Sequence, residues 1–296
     1  MATIFIDGSW TDEQEAKISV YDHGLLYGDG LFEGIRIYNG KIFKLEEHLR
    51  RLFEGAKAIM LTIPHTENEL ADILITGASK LVEEQAGGDG YIRLIVTRGV
   101  GDLGLDPRKC ARPSVIAIID SIELYPQELY ESGIPIITAS SRRVESSVFD
   151  PRIKSLNYLN NILAKQEAIL AGCLEAVMLN HDGYLTECTG DNIFLVKDGT
   201  LKTPASHLGI LEGITRNTIL ELARENGIPA EETMLTRFDL YTADECFLSG
   251  SGAEMMPVTS VDGRTVGGQK TGGGKPGPIT ERLLEAFRAF IAVQCG

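Results

Sequence analysis

The stretch RIKSLNYLNNILAKQEAIL, residues 152–170, sets a helical apolar pattern behind a lysine. Its periodicity predicts a helix over 155–171, with Ser155 as a possible N-cap. Lys154 then stands at the mouth of that helix, among Asn157, Tyr158, Asn160 and Asn161. A lone lysine is usually a solvated charge. This one therefore has to be read with the rest of the chain.

At 296 residues the chain has room for two domains, at about one per 150 residues. A net charge of −14 is the wrong sign for gripping phosphate backbones, which argues against nucleic acid. No apolar run approaches the ~20 residues of a membrane span. The start MATIFIDGSW has an acid at Asp7 and no basic region, unlike a signal peptide, so a cytosolic location is expected. Five cysteines without a C-x-x-C pair fit reduced thiols. The five histidines are scattered and no metal site is expected.

The first part has α+β character. TIFI and SWT flank Asp7-Gly8, and EGIRIY and KIFKL flank Asn39-Gly40, a dipeptide suited to a type I′ hairpin. Leu45, Leu49, Leu52, Phe53 and Ala56 stripe a helix over 44–61. Thr66-Glu67-Asn68-Glu69 reads as a capping box opening the next helix, and strands follow at 91–97 and 114–119. The predicted organisation is a small α/β domain over 1–125, a linker over 126–134 and a large domain over 135–296. The large domain should hold short strands, helices near 214–226 and 278–293, and a glycine-rich loop at 267–277.

Gly99, Gly101 and Gly104 spell G-x-G-x-x-G after a strand, which suggests a dinucleotide fingerprint. That fingerprint needs a helix of roughly 10 residues or more before the next strand. LDPRKCARP has two prolines and no apolar period, so nicotinamide binding is rejected and a plain loop is expected.

Four features point to one chemistry. Lys154 can form a Schiff base with an aldehyde. Glu187 ends the strand YLTE, and a carboxylate can keep a pyridine nitrogen protonated. EGITRN puts Gly213 and Thr215 at a helix start, and SGSGAE follows a strand, so both can offer N–H and hydroxyl donors to a phosphate. Each has an ordinary explanation alone. Aldehyde, pyridine and phosphate together describe pyridoxal 5′-phosphate.

DHGLLYGDGLFEGIRIYNG, HLRRL, YIRLIVTRG, KSLNYLNNILAK, YLTECTGDNIF, GITRN and FLSGSGAEMMPV resemble, in order, the fold-type IV pyridoxal-phosphate transaminases, above all the branched-chain amino acid aminotransferases. The resemblance covers about 3–290 and implies the two-domain α+β fold of D-amino acid aminotransferase. It implies that Lys154 carries the cofactor and moves the proton. Glu187 would partner the pyridine nitrogen and Tyr158 the ring hydroxyl. Arg51, Ile214, Thr215, Gly250 and Ser251 would hold the phosphate, and Leu211 would pack on the ring. Arg51 shares a helix face with His48, whereas Arg50 should be solvated. Tyr27, Phe32 and Gly34 match the substrate pocket. Tyr91, Arg93 and the Gly252–Ala253 amides match the carboxylate contacts. Arg36 and Arg98 are either second carboxylate contacts or strand-edge charges. The loop VGGQKTGGGKPG is longer than the family pattern.

The implied reaction moves the amino group of L-leucine, L-isoleucine or L-valine to 2-oxoglutarate, in a homodimer or larger homo-oligomer. A D-amino-acid aminotransferase, with Arg98 as carboxylate clamp, is the alternative. An aminodeoxychorismate lyase fits the apolar pocket less well.

Overall fold

The computed structural model describes residues 2–84, 88–122, 125–268 and 273–296. The chain forms two compact units. One comprises Met1–Ile122, Ile153–Asn157 and Ile291–Gly296, and the other Glu123–Arg152 and Tyr158–Phe290.

In the first unit the elements are β1 (Thr3–Ile6), β2 (Ser9–Asp12), α1 (His23–Tyr27), β3 (Gly30–Tyr38), β4 (Lys41–Ile42), α2 (Leu45–Ala58), α3 (Glu67–Glu84), β5 (Gly90–Thr97) and β6 (Ser114–Asp120). Among the described residues the strands make an antiparallel sheet in the order β2-β1-β6-β5-β3-β4. Asn39 and Gly40 turn between β3 and β4 with φ of 48° and 78°, as a type I′ hairpin needs. Glu69 accepts from the backbone and hydroxyl of Thr66, completing the capping box.

Strand alternation divides the sheet's two faces. Leu31, Ile35, Ile37, Ile92, Leu94 and Val96 bury against Leu49, Leu52 and Ala56 of α2 and Leu70, Leu74 and Leu81 of α3. Phe32, Gly34 and Arg36 of β3, with Tyr91 and Arg93 of β5, take the opposite face. Between β5 and β6 there is a 3-10 turn (Pro107–Lys109) and no α-helix, as the rejection of the dinucleotide motif requires.

The second unit holds α4 (Gln127–Ser132), β7 (Ile134–Thr138), α5 (Leu159–Leu170), β8 (Glu175–Leu179), β9 (Leu185–Cys188), β10 (Asn192–Lys197), β11 (Thr200–Pro204), α6 (Ile214–Glu225), β12 (Ala230–Thr233), α7 (Arg237–Tyr241), β13 (Glu245–Gly250), β14 (Glu254–Val261), β15 (Arg264–Thr265) and, as far as Phe290, α8 (Pro278–Cys295). The strands run β12-β11-β10-β13-β14-β7-β8-β9, with β15 beside β14. The stretch expected as a linker over 126–134 thus carries α4 and the first residue of β7. Residues 269–272 of the expected glycine-rich loop lie outside the described residues.

The predicted helix start is also corrected: α5 begins at Leu159, and its N-cap Tyr158 makes no side-chain cap. The Ser155 hydroxyl accepts from the Asn157 backbone instead, forming a local turn. The Phe32 N–H donates to the Lys154 carbonyl at 2.9 Å, and the Leu156 N–H to that of Gly30 at 3.0 Å. Lys154 therefore lies in an extended segment bridged to β3 at Leu31 and Ser155.

Ala164 and Ala168 of α5 pack on Ala139, Ala176 and Met178. Glu167, on the same helix, accepts from the backbone N–H and hydroxyl of both Ser140 and Ser141, at 2.6–2.9 Å. Burial pushes this carboxyl up, but the hydrogen bonds outweigh it and hold it at about 2, below the ordinary 4.5. A depressed folded-state value gives stability that is present above pH 4.5 and lost as pH falls toward 2. Glu167→Gln should therefore lower Tm at pH 7, and the gap to the wild-type protein should close as pH falls over that window. A gap that stays constant in a Tm series across pH would show that the carboxylate charge is not what ties this loop to α5.

Candidate active site

β3 and β5 pair Gly34 with Arg93 and Arg36 with Tyr91. The Arg93 guanidinium lies 4.6 Å from the Phe32 ring centroid and 5.6 Å from that of Tyr91. The Lys154 Nζ lies 4.6 Å from the same Phe32 ring. Phe32, Gly34, Tyr91, Arg93 and Lys154 are thus brought together on the face turned away from the core. Arg36 sits over Tyr38 at 5.0 Å. Gly34 is required by space, because a Cβ there would stand 1.9 Å from the Tyr91 hydroxyl oxygen.

Behind this face, Arg51 donates from Nε (2.8 Å) and Nη2 (2.7 Å) to the two oxygens of Glu33. His48 donates to the same carboxylate from Nδ1 at 2.7 Å. Arg50 is exposed.

Two expected residues lie apart. The Tyr27 hydroxyl accepts from the Gly104 N–H and its ring meets His23 edge-on, on the loop side of α1. Arg98 makes a fork to Asp29 at 2.8 and 3.0 Å and donates to the carbonyls of Ile59 and Met60 at 2.8 and 2.7 Å. Its charge closes the end of α2. Four of its five donors are thus already used, which weighs against Arg98 as the clamp for a substrate carboxylate.

In the second unit Glu187 is buried and held on both oxygens. Oε1 pairs with Arg143 at 2.7 Å, and Oε2 accepts from the Leu211 N–H at 2.9 Å and from Asn192 at 3.3 Å. Arg143 in turn donates to Asn161 at 2.7 Å, and Asn161 to the Thr189 carbonyl at 2.9 Å. Leu211 is fixed a second time, because its carbonyl accepts from Asn192 at 2.9 Å. Gly213 caps α6 without any side-chain cap, and Ile214 and Thr215 are buried in its first turn. A Cβ on Gly213 would stand 2.1 Å from Asn192 Oδ1, and one on Gly250 2.1 Å from Asp191 Oδ1. Ser251 and Gly252 form the turn after β13, and Ala253 is buried.

The model of the class IV amino-transferases matches residues 30–261, more than half the chain. The chain belongs to the class IV aminotransferases. A putative branched-chain-amino-acid aminotransferase of Methanocaldococcus jannaschii is 48% identical over 285 residues, 96% of this chain and 95% of that protein. A D-alanine aminotransferase of Listeria monocytogenes is 36% identical, covering 99% of this chain and 97% of that protein. The crystal structure of the branched-chain amino acid aminotransferase from Thermobaculum terrenum, in its PLP-form, superposes with a TM-score of 0.83 at 32% identity, covering 98% of this chain and 93% of that one. The fold-type IV architecture expected from the sequence is the one found.

The residues of this class IV aminotransferase fit a phosphorylated pyridine cofactor. α6 opens without a side-chain cap, so its first N–H groups lack the usual side-chain acceptor. Ser249 Oγ and Arg143 Nε are buried without a hydrogen-bond partner among the described residues. Among those residues no His, Cys, Asp and Glu side chains gather to hold a metal ion.

Arg143, Asn161 and Asn192 escape a reading of the sequence. Asn161 and Asn192 lie inside quoted motifs, next to residues with assigned roles. Arg143 lies in SSRRV, where no period or spacing separates it from Arg142.

Proposed function

We propose that this class IV aminotransferase moves the amino group of L-leucine, L-isoleucine or L-valine to 2-oxoglutarate in a two-stage cycle that uses pyridoxal 5′-phosphate. The observation that carries this reading is the face of Phe32, Tyr91, Arg93 and Lys154. It joins an apolar wall to a cation, Arg93, that has no carboxylate partner among the described residues. A branched aliphatic side chain can pack on Phe32, and the second carboxylate of 2-oxoglutarate can reach Arg93.

When bound, the cofactor supplies an aldehyde for an amine to engage and a ring that spreads negative charge developing at the donor's Cα. Lys154 holds it covalently and moves the proton at Cα. Glu187, oriented by Arg143 and Asn192, holds the proton on the ring nitrogen. Tyr158 serves the ring hydroxyl and Leu211 packs on the ring. Arg51, Ile214, Thr215, Gly250 and Ser251 hold the phosphate. Tyr91 and the Gly252–Ala253 amides take the donor carboxylate, with Arg36 as a further contact.

A homodimer belongs to this reading. Val20, Tyr21, Leu25, Leu26, Tyr27, Val100, Leu103 and Leu105 are large apolar side chains left exposed. The segments that carry them are joined by the bonds from Gly101 to Tyr21 and from Gly104 to Tyr27. Exposed apolar surface of this kind marks an interaction site. The five free cysteines fit a reducing, cytosolic setting. No described helix is long and apolar enough to cross a membrane.

The experiment is glutamate formation from L-leucine and 2-oxoglutarate by the purified protein; no glutamate rejects the reading. Gly34→Ala should test the carboxylate side. A Cβ 1.9 Å from the Tyr91 hydroxyl would force the phenol to move. Misplacement of about 1 Å can cost roughly 100-fold. kcat/KM for L-leucine should fall by about that factor while cofactor absorbance stays unchanged. Unaltered kcat/KM would remove Tyr91 from the carboxylate site.

A further inference from the structure

Glu33 is the one charged residue on the core face of β3, between Leu31 and Ile35. Its side chain is fully buried, and that of His48 is 1% exposed. A carboxylate in that position needs its oxygens satisfied, and three donors satisfy them: Arg51 Nε, Arg51 Nη2 and His48 Nδ1. Burial pushes the Glu33 carboxyl up, but the Arg51 charge and the two partners outweigh it and hold it well below the usual range. Burial also pushes His48 down, and together with the charges of Arg51 and Lys154 it outweighs the raising effect of Glu33. His48 is then a neutral donor through Nδ1, and the charge of Glu33 is matched by Arg51.

Stability is a poor reason for such a cluster. A buried ion pair gives little net stability over apolar residues of the same volume. The geometry offers another reason. A side-on fork through Nε and Nη2 fixes the plane of a guanidinium, which on a free arginine would turn about several bonds. His48, one turn before Arg51 on α2, locks the carboxylate that makes the fork.

We propose that Glu33 is a positioning residue: with His48 it fixes the Arg51 guanidinium and thereby sets the affinity for the cofactor's 5′-phosphate. The inference rests on the reading of Arg51 as a phosphate ligand. An arginine already immobilised loses less freedom on meeting a phosphate, so the fork acts on affinity without touching the ligand.

The test is titration of the apoprotein with pyridoxal 5′-phosphate and with pyridoxal, which lacks the phosphate, followed by absorbance. Covalent capture by Lys154 is common to both, so the ratio of the two Kd values reports the phosphate site. Glu33→Gln should raise Kd for pyridoxal 5′-phosphate by about 10- to 100-fold, the size of effect seen when an outer partner of a ligating group is removed. Kd for pyridoxal should stay as it was. His48→Leu leaves the fork in place and should give a smaller loss with the same selectivity; it decides the matter if Glu33→Gln does not fold. Arg51→Ala is the control. If it leaves the Kd ratio unchanged, the phosphate role of Arg51 fails and the inference falls with it. If it changes the ratio while Glu33→Gln and His48→Leu weaken both ligands equally or neither, Arg51 keeps its role and the positioning inference alone is overturned.

Discussion

Replacing Lys154 with alanine should abolish the absorbance that arises from covalent attachment of the cofactor and lower turnover by several orders of magnitude. Acid–base catalysis by one positioned side chain contributes about 10²- to 10⁴-fold, and covalent participation is lost in the same substitution. The fold should survive. Two backbone bonds tie this segment to β3: the Phe32 N–H to the Lys154 carbonyl, and the Leu156 N–H to the Gly30 carbonyl. Neither bond needs the side chain. The Ser155 hydroxyl keeps its turn with Asn157, and Asn157 keeps its bond to the Gly28 carbonyl at 2.9 Å. Tm of the apoprotein should therefore change little while the chemistry disappears. A mutant that turned over L-leucine at a tenth of the normal rate would remove Lys154 from the reaction.

The same lysine shows what a sequence can and cannot tell. Local rules are legible. Asn-Gly at 39–40 and Thr-x-x-Glu at 66–69 each specify their own geometry through neighbours a few residues away, and both turn out as expected. The two prolines after Gly104 likewise rule out a dinucleotide helix. The start of α5 is not legible, because the competing partner of residues 154–156 is a strand more than a hundred residues earlier. Helical periodicity cannot register such a bridge. Arg98 is a similar case. An arginine after a strand looks like a ligand until Asp29 and the end of α2 are seen to occupy it. Arg143 is the converse. It pairs with Glu187 at 2.7 Å, and the separation of the two residues in the chain carries no pattern.

Enantiomer preference separates the two closest readings, and L-leucine should be turned over while D-alanine is not. Relatives of this chain include D-alanine aminotransferases, so sequence similarity alone leaves room for either hand. The side chains narrow it. Reaction of a D-donor by the alternative reading requires Arg98 as the clamp for the donor carboxylate. Arg98 instead forks to Asp29 at 2.8 and 3.0 Å and caps the end of α2. Freeing it would leave Asp29 and the carbonyls of Ile59 and Met60, just past α2, without this donor. The remaining carboxylate site in the proposal is Tyr91 with the Gly252–Ala253 amides, and the apolar wall is Phe32. With the carboxylate held there, an L-donor directs its side chain to the apolar wall and its Cα proton to Lys154. A D-donor must exchange carboxylate and side chain, which leaves the donors of that carboxylate site unpaired. Sites built around a hydrogen-bonded group reject ligands lacking it there by roughly 10⁴-fold or more. Burying a leucine side chain is worth about 1.5–3 kcal/mol, or roughly 10- to 100-fold over alanine. At equal concentrations, 2-oxo acid formation with 2-oxoglutarate as acceptor should be fast for L-leucine, L-isoleucine and L-valine. L-alanine should be slower by about that 10- to 100-fold, and D-alanine should be undetectable beside them. Faster turnover of D-alanine than of L-leucine would sink the branched-chain reading, and it would require Arg98 to leave Asp29 in the working enzyme.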